Sequence, residues 1–168
     1  MNADACVLLL SHQQEPFCTD RVAGALAARG AHALRLNTDD FPRDLRLTGV
    51  LPAMSPATLR ATERRDAGDA LLLLDGTPLR VTSVWLWRLW PARLDDRLSP
   101  PHAQAARRES AAALRGLLDL LSDVPWIDAP DAGQDAENKT RQLRLARAVG
   151  LAIPPTLITA DGDAVRAF

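Results

Sequence analysis

Four places in the chain bring together residue types that can do chemistry. The first is Ser11-His12. A hydroxyl beside an imidazole is the raw material of nucleophilic catalysis. The pair follows the apolar run Val7–Leu10, which reads as a strand, and open α/β sheets place ligands at strand ends of this kind. A Ser/His/Asp set drawn from Ser11, His12 and Asp39 has no fixed spacing behind it, so a pair of polar loop residues is the plainer use. The second place is Asp39-Asp40, whose hard oxygens suit a divalent cation. No third ligand is in view, and the pair reads as a solvated turn capping the next segment. The third is Trp85, Trp87, Arg88 and Trp90, an aromatic and basic set of the kind that forms stacking platforms. Alternation puts Trp85 and Trp87 on one strand face and Val84 and Leu86 on the other, which predicts core packing for the tryptophans. Arg88, at the strand's end, can reach a carboxylate or a phosphate, with a surface salt bridge as the ordinary alternative. The fourth is Lys139, the only lysine, early in a helix and just after a loop-like stretch. It could aim an ammonium at a nucleotide phosphate, though spacing alone describes a solvated helix residue.

The composition sets bounds on these readings. With 168 residues and 47% hydrophobic content, the chain can bury a core and is not a disordered segment. A formal net charge of -1 gives no strong single-sign field, so neither a nucleic acid nor a membrane is an expected partner. There is no Gly-rich phosphate loop of either common pattern, no HExxH and no GxSxG. Cys6 and Cys18 lack metal-ligand spacing and read as buried or half-buried thiols in a reducing compartment. The N-terminus has no basic region, and Val7–Leu10 is too short for a signal peptide or a span. The expectation is a soluble, cytoplasmic protein.

The elements that must position these residues follow in order. Ala5–Leu10 is a strand buried on both faces, as in a parallel sheet. Thr19 caps a helix over Asp20–Arg29, and Gly30 ends it. Ala33–Leu36 is a second strand, completing a βαβ unit. Leu45–Val50 and Thr58–Thr62 read as strands of a side flap. Ala70–Leu74, Asp75-Gly76 and Pro78–Val81 carry a hairpin signal, since Asp-Gly accepts positive φ. Val84–Trp87 returns to the main sheet. Ser99-Pro100-Pro101 starts a long helix, with Ala106, Ser110, Ala113, Leu114, Leu117, Leu118 and Leu121 along one side. Pro125–Asp128 is a short strand and Ala129–Asp135 a linker. Asp135 caps the next helix, Gly150 and Pro154-Pro155 stop it, Thr156–Thr159 is a strand, and Asp163–Phe168 opens another helix. The fold class is α/β with a largely parallel sheet.

Four segments in one order carry a family likeness: Val7–Pro42, Ser83–Leu94, Arg107–Leu118 and Trp126–Thr159. "LNTDDFP" and "AENKTRQLRLA…GLAIPPTLIT" are its strongest parts. The set resembles the N-terminal part of the ATP-grasp ligases that mature microviridin-type ribosomal peptides (graspetides). That group is akin to the ribosomal-protein S6 glutamate ligases. The likeness implies a Rossmann-like pre-ATP-grasp sandwich over residues 1–128, a linker over 129–135, and the first helix and strand of a truncated ATP-grasp domain over 136–168. It implies ATP and magnesium as cofactors of full-length members, and a ribosomal precursor peptide, with leader and core, as partner. A homodimer, or the remaining ATP-grasp part, is a further possible partner. Such ligases activate a side-chain carboxylate as an acyl phosphate and let a hydroxyl or amine attack it, giving an ester or amide ring.

Residue by residue, the likeness places Lys139 near the nucleotide and assigns no catalytic or metal-binding residue. Arg88, Ser11 and His12 are the substrate-side candidates. One departure is visible: the family's W-x-R-R strand ending here reads Trp85-Leu86-Trp87-Arg88-Leu89, with a single arginine. The strands and acidic ligands that grip nucleotide and magnesium in the family have no counterpart here, which predicts a scaffold inactive by itself, whether fragment, truncated product or split protein. The alternative is a stand-alone module that binds a peptide or partner without catalysis.

Overall fold

The computed structural model describes residues 5–15, 17–51 and 71–168. They fall into two compact units, Met1–Ala129 and Pro130–Phe168. Among the described residues no helix is long and apolar enough to cross a membrane.

The first unit is built on a parallel sheet. Its strands are β1 (Cys6–Ser11), β2 (His32–Asn37), β6 (Val81–Leu86) and β7 (Trp126–Ile127), in the order β2-β1-β6-β7. β1 sits between two parallel neighbours, with Leu8 opposite Leu34 and Val84, and Leu10 opposite Leu36 and Leu86. A central strand must be apolar on both faces, and Leu8, Leu9 and Leu10 are all at most 1% exposed. The second sheet is antiparallel, β3-β4-β5, from Leu47–Val50, Leu71–Leu74 and Thr77–Pro78. Asp75 and Gly76 both have positive φ, at 48° and 79°, as a two-residue hairpin requires. The hairpin's second strand is shorter than its sequence suggests: Leu79 N–H still donates to Leu72 O at 2.8 Å, and Val81 joins the main sheet instead.

One sheet face carries the core. Leu8, Leu10, Leu36, Val84 and Leu86 cluster with Phe41, Leu47 and Leu72, and with Leu114, Leu118 and Leu121 at the end of the long helix α2 (Pro100–Asp119). The predicted stripe of α2 is buried at Ser110, Leu114 and Leu118, while Ala113 stays exposed. β3 approaches this helix closely: a Cβ on Gly49 would lie 2.7 Å from Leu120 Cδ1 and 2.9 Å from Leu117 Cδ2. The opposite face is half covered. Helix α1 (Cys18–Ala27) lies against β2 and β1. Trp87, just past β6, and Ile127 on β7 remain 45% and 64% exposed. Trp87 is therefore not a core residue, and Trp85 is only half-buried. Trp85 and Trp87 lie against each other at 5.6 Å, and the buried partners along β6 are Val84 and Leu86.

Three short helices make up the second unit: α3 (Pro130–Glu137), α4 (Lys139–Ala148) and α5 (Gly162–Ala167). The stretch read as a linker is helical from Pro130, because proline suits a first helical turn and Asp131 favours the helix N-terminus. Asp135 is not the cap of α4. Asn138 is, its side chain accepting from Arg141 N–H at 3.0 Å, while Asp135 pairs with the Arg141 guanidinium. Gly150, at φ 84°, ends α4 with paired bonds from Leu151 N–H to Ala146 O and from Gly150 N–H to Arg147 O. Thr156–Thr159 is not a strand: among the described residues no neighbour completes its backbone bonds. Thr58–Thr62 lies outside the described residues.

The clamp between sheet and α2 sets the stability of the first unit. Leu118→Ala, at a position 3% exposed, is expected to lower unfolding free energy by about 2–5 kcal/mol in urea denaturation. Arg115→Ala, one turn away on the exposed side of α2, is expected to change it by less than about 0.5 kcal/mol.

Candidate functional site

The carboxyl ends of β1, β2 and β6 gather the buried polar residues of the first unit other than Ser110, and they do so around Glu15. The loop after β1 turns its carboxylate back onto the start of α1. Glu15 Oε1 accepts from Phe17 N–H at 3.1 Å and Cys18 N–H at 2.7 Å; Oε2 accepts from Thr19 N–H at 3.0 Å and the Thr19 hydroxyl at 2.7 Å. The exposed amides of a helix N-terminus favour negative charge, and here the chain supplies its own. The Thr19 hydroxyl and the Thr19 and Cys18 amides hold the Glu15 carboxyl down at about 2. Thr19 is thus not the helix cap. It is a fully buried strut whose hydroxyl, with its proton given to Glu15, can accept from the Ser11 hydroxyl at 3.0 Å. Cys18, in this first turn, is exposed rather than buried.

Arg35, the one charge inside β2, ties the loop to the sheet. Its Nη2 donates to His12 O at 3.0 Å and Glu15 O at 2.7 Å, its Nη1 pairs with Asp20 at 2.8 Å, and its Nε donates to Asn37 Oδ1 at 3.0 Å. A guanidinium's rigid fork can join several acceptors in this way.

The Thr38–Asp40 turn forms a second knot. Asp39 is 3% exposed, not solvated, and its Oδ1 accepts from Gln13 N–H at 3.1 Å. Asp40 Oδ1 accepts from Gln13 Nε2 at 2.9 Å and from Arg93 Nη2 at 2.6 Å. The same Arg93 nitrogen reaches Asp44 at 3.0 Å. Asp44 is held below the usual carboxylate range, first by its hydrogen bond from Arg43. Arg93 N–H also donates to Asp39 O at 2.8 Å, and Trp90 N–H donates to Thr38 Oγ1 at 3.0 Å. The segment after β6 is therefore latched over the sheet end. His12 stacks on Trp90 at 4.5 Å, and its buried Nδ1 has no hydrogen-bond partner among the described residues; neither has Arg93 Nε.

Among the substrate-side candidates, Ser11 is fully buried and closes β1, with its hydroxyl on Thr19 and its carbonyl accepting from the Thr38 hydroxyl at 3.1 Å. It is not a loop residue. His12 is 8% exposed, at the rim. Arg88 is exposed and pairs with no carboxylate among the described residues. These three lie at one sheet end. Lys139 belongs to the second unit, at the first turn of α4, where its exposed Nζ donates to Gln142 Oε1 at 3.2 Å. Glu15, Arg35 and Arg93 escaped the sequence reading. A single arginine in the apolar run Ala33–Leu36 was a usable signal for the second; nothing local marked Arg93. Among the described residues no group of three or more His, Cys, Asp or Glu side chains could hold a metal ion. These residues do not fit a nucleotide–magnesium pair, and no step of nucleotide chemistry is assigned to them.

Comparison with known proteins gives a concordant set. Residues 6–134 match the model of the MvdD pre-ATP-grasp domain. The fold is similar to the crystal structure of the macrocyclase MdnB from Microcystis aeruginosa MRC, with TM-score 0.78 and 36% identity over 98% of this chain and 50% of that one. The macrocyclase MdnC from the same organism, bound with the precursor peptide MdnA, gives 0.75 and 24% over 98% and 50%. A RiPP-associated ATP-grasp ligase from Chryseobacterium gregarium, in complex with ADP and a leader and core peptide, gives 0.75 and 20% over 98% and 47%. The last two show the fold alone. The chain spans about half the length of each of these structures. No curated protein matches it.

The Glu15 knot makes a pH prediction. Because the folded carboxyl sits at about 2 against an ordinary 4.5, the unfolded chain takes up the proton first as pH falls. Its contribution is complete above about pH 4.5 and is lost on the way down to about 2. Glu15→Gln is expected to lower the urea midpoint at neutral pH, and the gap from the unsubstituted chain is expected to shrink through that window. A gap unchanged between neutral pH and pH 2 would contradict the assignment.

Proposed function

The chain belongs to the MvdD pre-ATP-grasp domain family, and from that membership we propose that it is the N-terminal, substrate-side part of an ATP-dependent ligase. The ligase installs ester or amide crosslinks in a ribosomal precursor peptide. The observation that carries this reading is the MdnB match, which uses 98% of this chain and half of that macrocyclase.

The chemistry consumes one ATP per ring. A peptide side-chain carboxylate takes the γ-phosphoryl group and releases ADP. A hydroxyl or amine of the same peptide then attacks the acyl carbon and expels phosphate, so the peptide loses one water. In this division of labour ATP and magnesium are held by a part of the ligase outside these 168 residues. Residues up to Asp128 are the pre-ATP-grasp domain, and the second unit opens the ATP-grasp part, with Lys139 on its nucleotide side. Exposed Val149, Leu151, Ile158 and Val165 support that division, since a unit this small needs a further surface to bury its apolar side chains. On the substrate side, Arg88, unpaired among the described residues, is the fork and His12 the rim contact; Ser11 holds the strand end beneath them.

A stand-alone peptide-binding module without catalysis is the second reading. It is favoured by Trp87 and Ile127, which are exposed among the described residues.

Titration calorimetry on the 168-residue chain is expected to show no tight magnesium-dependent ATP uptake. Tight binding would overturn the placement of the nucleotide elsewhere. In a full ligase containing this chain, mass spectrometry of a precursor peptide incubated with ATP and magnesium is expected to show loss of one water per crosslink. Arg88→Ala is expected to raise KM for the peptide about tenfold while leaving KM for ATP unchanged.

A further inference from the structure

Helix α4 is basic along its whole length. It carries Lys139, Arg141, Arg144 and Arg147 and has no acidic residue. Asp135 engages Arg141 and Gln142 engages Lys139, whereas Arg144 and Arg147 form no ion pair among the described residues. Thr140, Arg141, Arg144, Leu145 and Ala148, with Asn138, line a hollow of about 500 Å³. Those five helical positions share one side of α4, and the half-buried Leu143 and Ala146 lie on another. The hollow is thus not the side that α4 uses for packing within its own unit.

We propose that this side of α4 is a docking surface for an acidic peptide segment in which carboxylates flank an apolar side chain. Three observations select that chemistry. Guanidinium forks pair best with planar carboxylates. Arg141 and Arg144 stand one turn apart, about 5–6 Å at Cβ, which matches carboxylates one turn apart on a helical peptide or alternate residues of an extended one. Leu145, 57% exposed, offers an apolar contact beside the charges, with Ala148 one turn further on. The occupant's identity as the ligase's own precursor rests on the reading above; the surface and its charge preference do not.

The probe is a short fluorescein-labelled peptide alternating Glu and Leu, followed by fluorescence anisotropy with the intact chain. Saturable binding that weakens with salt is expected, and a Gln-for-Glu analogue is expected not to bind. Arg144→Glu is expected to weaken binding about tenfold, and Arg144→Gln by a smaller factor. Arg147→Glu, the same charge change on the same helix outside the hollow, is expected to cost less than about twofold. Circular dichroism establishes that each variant is folded, and Arg144→Gln serves if Arg144→Glu is not. Equal losses at Arg144 and Arg147, no binding of the acidic peptide, or displacement of the peptide by ATP with magnesium would each overturn the proposal. Peptide binding without water loss in the full ligase would sink the ligase reading and keep the surface. Water loss without peptide binding here would do the reverse.

Discussion

A carboxylate placed on three backbone amides and one hydroxyl holds the first βα turn, and much of the first unit depends on it. Burying a carboxylate is costly unless every exposed lone pair finds a donor, and charge-assisted bonds at a helix N-terminus are among the strongest available. Glu15 satisfies that condition, at 8% exposure, with donors from Phe17, Cys18 and Thr19. The same bonds fix the direction of α1, and Thr19 carries the constraint on to Ser11 at the end of β1. Arg35 then joins the loop's carbonyls to β2. Strand, loop, helix and strand are thus one hydrogen-bonded object.

The consequence is a sheet end filled from within. In open α/β proteins the crevice beyond the strand ends and the first helix N-terminus commonly receive a ligand's anionic group. Here Glu15 takes the helix amides, and Arg93 with Asp39, Asp40 and Asp44 latches the segment after β6 across the opening. What stays exposed at this sheet end is the rim that carries Arg88.

Elements ruled by local physics were legible before the structure. The apolar run of β1, the Asp75-Gly76 turn, the α2 stripe and the Gly150 stop follow from periodicity and from positive φ. Errors arose where distant partners decide. Thr19 looked like a cap because Glu15's return was invisible four residues upstream. Asp39 looked solvated because its partners, Gln13 and Arg93, are far off in the chain. Trp85 and Trp87 looked like core because alternation reports which residues share a face and not whether a helix covers it. Thr156–Thr159 has strand composition, and composition supplies no neighbour. Ser11-His12 and Arg88 were each read from the sequence at a strand end, and the parallel pairing of β1 with β6 puts those ends on one side of the sheet, whereas the network around them was not legible.

The stack of His12 on Trp90 also gives the molecule an optical readout. Four tryptophans emit, in distinct surroundings: Trp126 donates its Nε1–H to Leu121 O, Trp85 and Trp87 lie against each other, and Trp90 lies against an imidazole. Indole emission is sensitive to a stacked ring and to the water around it. Because Trp90 N–H is anchored to Thr38 and the imidazole continues from β1, the two rings stay together only while the segment after β6 remains latched. A change in Trp90 emission would therefore report release of that latch, with Trp126 as an internal reference within the same chain.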